Sequence, residues 1–313
     1  MKTYWPVVLI LVLLLAVSCL REKTDDVNAR TALEQEIQKL TQRLTQLEIA
    51  DNVDAFLQYY TDYAISMPEY QLTLHGREEI KDFYHEIFSR QNIKAFQRQV
   101  HEFIHLGKTI VEVGAFQKEY TDSKTAASQS VKGKYWMVWE TQPDGNHKLK
   151  GEAFGFFHPV ENPESLIVQS HKPQPDESDV LEQKEIPFEL RAYNALMEKG
   201  VRNRDGNLRA EFFTTDGIFY PFADTAVKGM DQIKPYLIAY SSRGSVIIDS
   251  IMCYTDHFEN IGDYLIEYAM FKVKWRVTGF SGRTEGKGIR IWKRQDDRSL
   301  RLYREIGTHN QLE

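Results

Sequence analysis

The 313-residue sequence predicts an α+β fold of two tandem cone-shaped domains, each a curved antiparallel sheet wrapped around about three helices. An internal repeat, the order of helix and strand patterns within each copy, and a proline-rich stretch between the copies carry that prediction. GKYWMVWETQPDGNHKL (133–149) aligns with GKGIRIWKRQDDRSLRL (286–302) at a constant offset of 153, with six of 17 positions identical. The same offset brings YYTDYAISMP (59–68) onto FFTTDGIFYP (212–221), Gly76 onto Gly229 and Ile80 onto Ile233. One register held at both ends of each half marks a duplication.

Each copy opens on a helix. In 31–50, Leu33, Ile37, Leu40, Leu44 and Leu47 recur at helical spacing, and Thr31-x-x-Glu34 has the form of a capping box. A short helix over Val53–Tyr60 follows, then a strand ending at Pro68, a loop to Gly76 and a helix from Arg77 to Phe88. Only strand patterns remain after that. Ser245–Tyr254 and Tyr264–Val277 alternate and are rich in β-branched and aromatic residues; Ile289–Arg294 and Leu300–Ile306 are joined by a polar turn. The stretch 159–187 holds five of the ten prolines and many acids, so 161–185 reads as a linker between domains 31–160 and 186–313.

The N-terminus has its own pattern. Lys2 precedes an apolar run, Val7–Val17, with the length of a signal-peptide core. Leu15-Ala16-Val17-Ser18-Cys19 resembles the lipobox of bacterial lipoproteins, which implies that residues 1–18 are a signal peptide and Cys19 the lipidated first residue. Leu rather than Asp at position 20 argues, by that resemblance, for the outer membrane. Residues 19–30 are polar and read as a flexible tether.

Composition excludes several classes. A formal charge of −6, without basic blocks interleaved with aromatics, gives no footprint for nucleic acid. Two cysteines, Cys19 and Cys253, build neither a disulfide framework nor a cysteine-rich metal site. HEFIH (101–105) matches a zinc-protease pattern, H-E-x-x-H. The repeat sets it opposite Asp256–Asn260, at the end of a long strand. On a strand His101 and His105 stand about 13 Å apart, too far to share one zinc. No metal or other cofactor is expected.

LHGREEIKDFY (74–84), VKGMDQIKPYL (227–237), ENIGDYLIEY (259–268) and the hairpins at Trp139 and Trp292 resemble the nuclear transport factor two-like superfamily, also termed SnoaL-like or ketosteroid-isomerase-like. The resemblance appears twice, over about Ala32–Val160 and Ile186–His309. It implies a cone, a curved sheet wrapped around helices, and mixes enzymes with binding proteins, so it specifies fold rather than chemistry. Members pair through the outer faces of their sheets, which implies an internal pseudo-dimer here. The isomerase branch places a general base where Met67 and Tyr220 stand, and an acidic oxyanion donor where Met137 and Arg290 stand. None of the four is a carboxylate, which speaks against that chemistry.

The remaining polar signals are two glutamates on apolar strand faces. Glu267 shares a face with Leu265, Ala269 and Phe271, and Arg304 is its expected partner. Glu112 has the matching place in the first copy, where Gly151 replaces Arg304. That absence predicts an unneutralised acid beside open space, and so a functional pocket in the first cone. Tyr60, Trp139 and Trp292 complete the candidate cavity residues. The reading is a lipid-anchored envelope protein binding a small apolar or amphipathic ligand without catalysis. A SnoaL-like hydrolase, dehydratase or cyclase using Glu112 with Tyr60 is the second reading, and a scaffold for another envelope protein the third.

Overall fold

The computed structural model describes residues 5–161, 163–168 and 186–310, with side chains described from residue 27 onward, Ser165 excepted. The linker 161–185 and the side chain of Cys19 therefore lie largely or wholly outside the described residues. Helix α1 (Trp5–Ile49) is continuous, so 19–30 is helical and not the flexible tether its polar residues suggest. The physical reason is composition: no glycine or proline interrupts the chain between Val7 and Ile49. Thr31 accordingly lies inside the helix, its hydroxyl donating to the Val27 carbonyl at 2.9 Å, and forms no N-cap.

The expected element order occurs twice. In the first copy α2 (Val53–Leu57), β1 (Tyr60–Pro68), β2 (Leu74–His75) and α3 (Gly76–Arg90) precede four long strands, β3 (Gln91–Leu106), β4 (Thr109–Asp122), β5 (Ser128–Thr141) and β6 (His147–Phe156). The second copy runs α4 (Phe188–Arg202), α5 (Gly206–Ala210), β7 (Phe213–Tyr220), β8 (Val227–Lys228) and α6 (Met230–Ser241). Strands β9 (Ile247–Ile261), β10 (Tyr264–Val277), β11 (Phe280–Arg294) and β12 (Leu300–His309) complete it. Even the caps repeat: Asn52 Oδ1 accepts from the Ala55 N–H at 3.1 Å, and Asp205 Oδ1 from the Leu208 N–H at 3.0 Å.

Each copy forms one six-stranded sheet, ordered β2-β1-β6-β5-β4-β3 and β8-β7-β12-β11-β10-β9. The β1–β6 and β7–β12 pairs are parallel and the rest antiparallel. His101 and His105 stand on β3, which is the strand placement the repeat indicated. Both sheets are bulged at the same place, between Val100 and Glu102 on β3 and opposite Tyr268/Ala269 on β9. A bulge adds a residue to one strand and bends it, and so curves a sheet around its helices.

The outer faces of the two sheets press together. Met67, Val111, Val113, Trp136 and Val138 of the first copy share one buried cluster with Tyr220, Ile266, Tyr268, Ile289 and Ile291 of the second. Polar contacts frame it. Arg304 donates to both carboxylate oxygens of Glu102, at 2.6 and 3.0 Å, and His75 meets Asp256 at 2.8 Å. Lys134 donates to the Asp224 carbonyl and Lys287 to that of Gln71, residues that correspond at the 153 offset. The exchange of like contacts gives this contact a pseudo-two-fold character.

Candidate functional site

The interior of the first cone is filled by its own polar side chains. Glu48, on the last turn of α1, receives Arg98 at 2.8 Å and Lys118 at 2.6 Å. Tyr135 donates its hydroxyl to Glu112 Oε1 at 2.7 Å, and Trp139 Nε1–H donates to Oε2 at 3.1 Å. Glu152 accepts from Ser66 at 2.6 Å and from Tyr60 and Tyr84 at 2.9 Å each. Burial pushes the Glu152 carboxyl above its usual range, while the three hydroxyls pull it back. The void that remains is about 50 Å³.

The second cone is hollow. Its cavity holds about 470 Å³, within the range of small-molecule sites. The strand pairings supply the reason, because they fix which residues correspond. Trp139 faces Ile110 and Trp292 faces Leu265, so β3–β4 correspond to β9–β10 at an offset of 155, two more than elsewhere. By that register Arg98 and Lys118 become Cys253 and Val273. At the 153 offset Glu48, Tyr84 and Tyr135 become Val201, Leu237 and Gly288. All five replacements line the cavity. Five long polar side chains have given way to smaller ones, and the volume they filled is open.

The cavity floor carries the paired charges. Arg290 Nε donates to Glu305 at 2.8 Å, and its Nη1 lies 3.5 Å from Glu267. Glu267 is fully buried and also accepts from Thr255 Oγ1 at 2.5 Å and Trp292 Nε1 at 2.8 Å. Burial pushes the Cys253 thiol up to about 12 and the His309 imidazole down to about 4, so near neutrality both are uncharged. The His309 ring is stacked on Phe222 at 3.8 Å.

Burial also lowers Lys287 from 10.5 to about 7, against the opposing pull of Glu69. Between pH 7 and 10.5 the unfolded lysine holds a proton that the folded one has lost, so stability rises with pH across that window. Lys287 should make stability at pH 9 exceed that at pH 7 by about 2 kcal/mol on its own account, since each pH unit in which one proton separates the two states contributes roughly 1.4 kcal/mol. Urea denaturation at the two pH values measures it. Lys287→Met should flatten the rise; an equal rise in the variant would assign it to other groups.

Several sequence-based expectations are corrected. Glu112 is a fully buried core glutamate bonded to Tyr135 and Trp139, and it does not line the small void of the first cone. Gly151 faces the second copy instead: a Cβ there would stand 2.0 Å from the Tyr268 hydroxyl. Arg304 pairs with Glu102, not with Glu267, whose cation is Arg290. The cause is an irregularity after Ile291, which pairs with Arg304 while Trp292 pairs with Leu302. The extra residue turns Arg304 to the outer face. Met67 and Tyr220 also belong to the layer between the sheets, and Ser66 and Phe219, one residue earlier, point inward. Tyr60 bonds Glu152, so the structure does not join it to Glu112. Met137 borders the small void of the first cone, Trp139 and Trp292 are core residues holding Glu112 and Glu267, and Arg290 alone of the expected set lines the large cavity. The Glu152 hydroxyl cluster and Glu305 were not singled out from sequence; the 153 offset between them was the available signal.

Among the described residues no group of three or more His, Cys, Asp or Glu side chains is placed to hold a metal. No family model and no curated protein matches the chain. Among solved structures, a ketosteroid isomerase-like protein from Erwinia carotovora atroseptica is similar at 13% identity and a TM-score of 0.37, covering 39% of this chain and 95% of its own. A nuclear transport factor 2-like superfamily protein from Salmonella enterica matches at 11% identity and 0.36, over 40% of this chain and 92% of its own. A putative calcium/calmodulin dependent protein kinase II association domain from Xanthomonas campestris matches at 18% identity and 0.35, over 40% and 88%. This chain is thus similar, over a length of about one cone at a time, to solved structures described as nuclear transport factor 2-like or ketosteroid isomerase-like.

Proposed function

We propose that the protein is a lipid-anchored protein of the bacterial cell envelope, in the outer membrane, whose second cone binds a small apolar or amphipathic ligand without converting it. The cavity of about 470 Å³ carries this reading, walled by Leu237, Ile251, Phe271, Val273 and Trp275. Binding rather than turnover is supported by the state of the polar groups around it. Glu305 is held by Arg290, Cys253 keeps its thiol proton, and the residue that points into the cavity beside the expected general-base position, Tyr220, is Phe219, which carries no acid or base.

Ala269 lies on the cavity wall, and Ala269→Phe would place a ring inside it and occupy part of its volume. The parent chain should retain lipophilic molecules extractable into organic solvent, and the variant should retain clearly less. Equal recovery from both, by mass spectrometry of the extracts, would refute cavity binding. The anchor has a separate check. Cys19→Ser should abolish palmitate labelling and leave residues 1–18 attached; a labelled variant would rule the anchor out.

A further inference from the structure

The cavity of the second cone is lined by five basic side chains, Arg204, Arg209, Arg243, Lys287 and Arg290, and by one carboxylate, Glu305. Three of the five are engaged by the fold. Arg204 donates to the carbonyls of Ser241, Arg243, Gly244 and Val246, closing the C-terminal end of α6. Arg290 is held by Glu305 and Glu267. Lys287 donates to the Gln71 carbonyl and to Asn310 Oδ1.

Arg209 and Arg243 are different. Among the described residues neither guanidinium donates to a carboxylate or a carbonyl. Both lie against one ring, that of Tyr240, at 5.7 and 5.1 Å from its centroid. Arg209 Nε is buried with no hydrogen-bond partner. A guanidinium N–H withdrawn from water without an acceptor is costly, and both side chains line the cavity together with Tyr240. Two forked donors over an aromatic face suit a carboxylate or phosphate group. Leu237, Ile251, Phe271, Val273 and Trp275 supply the apolar part of the wall. At about 30 Å³ per water-sized group, a cavity of 470 Å³ holds roughly fifteen methylene-sized groups.

We infer that the ligand is a single-chain amphipathic anion, its carboxylate or phosphate head held by Arg209 and Arg243 over Tyr240 and its hydrocarbon chain inside the second cone. The inference rests on the cavity-binding reading and adds the head group. The test uses the full chain and three probes with one hydrocarbon chain: dodecanoate, dodecyl phosphate and dodecanol. The parent should bind both anions more tightly than the alcohol, and the tighter of the two identifies the head. The Arg209→Ala/Arg243→Ala double variant should lose about a hundredfold in anion affinity, two charge-assisted bonds' worth, with dodecanol unchanged. Arg243 is exposed, so Arg243→Glu should fold as the parent does and still lose at least about tenfold for the anions. If the alcohol binds as well as the anions and both variants match the parent, the head-group inference falls while cavity binding stands. If none of the probes binds the parent, both fall.

Discussion

Arg290→Met should cost the fold about 3–5 kcal/mol, the usual result of removing one partner from a buried ion pair. Glu305 at 2.8 Å and the fully buried Glu267 at 3.5 Å would both lose their cation. Methionine is the informative replacement, because Met137 has that position in the first cone. There the acid matching Glu305, Glu152, is held by Tyr60, Ser66 and Tyr84. The second cone has Phe213, Phe219 and Leu237 at those places, so nothing replaces the lost cation. Adding Phe213→Tyr, Phe219→Ser and Leu237→Tyr to Arg290→Met should therefore recover much of the loss. Urea denaturation reads both steps. A single variant within about 1 kcal/mol of the parent would mean that water or a proton satisfies Glu305.

Trp136→Ala should also cost about 3–5 kcal/mol, as large-to-small changes of buried aromatics do. Trp136 is fully buried between the two sheets and meets Tyr220 of the other copy edge-on, with centroids 5.8 Å apart. Its removal opens a void in a layer that both copies build. The measurable consequence is cooperative: calorimetry should show one lowered transition rather than a lowered and an unchanged one. A loss confined to one of two resolved transitions would show that the layer couples the copies weakly.

The strand β10 was readable to its ends, Tyr264–Val277, because alternating β-branched and aromatic residues run between two turns. The duplication was readable for a different reason: the hairpins at Trp139 and Trp292 kept their register. The presence of acids on apolar faces at 112 and 267 was also legible. Their partners were not. Side-chain direction in a strand alternates, so the irregularity after Ile291 reverses every inference beyond it, and nothing in the residue types around Tyr303 announces it. The open cavity went unread although the offset that reveals it is the one that already sets His101 opposite Asp256 and Glu112 opposite Glu267. Only with β3–β4 moved to an offset of 155 do Arg98 and Lys118 stand opposite Cys253 and Val273, and only then does one cone read as filled and the other as empty.

Gly151 and Tyr268 make the two copies a key and a lock. The glycine leaves no room for even a methyl group beside the tyrosine hydroxyl, and the residue matching Gly151 in the other copy is an arginine with its own partner. A chain built from two first copies would set Val113 against Gly151 and leave a hole there. One built from two second copies would drive Arg304 into Tyr268. A symmetric dimer of identical subunits must make one surface fit itself, and every mutation appears on both sides at once. Joining the copies in one chain lifts that restriction. Each surface can then change to suit the other, and one copy can become a solid support while its sibling keeps a space inside.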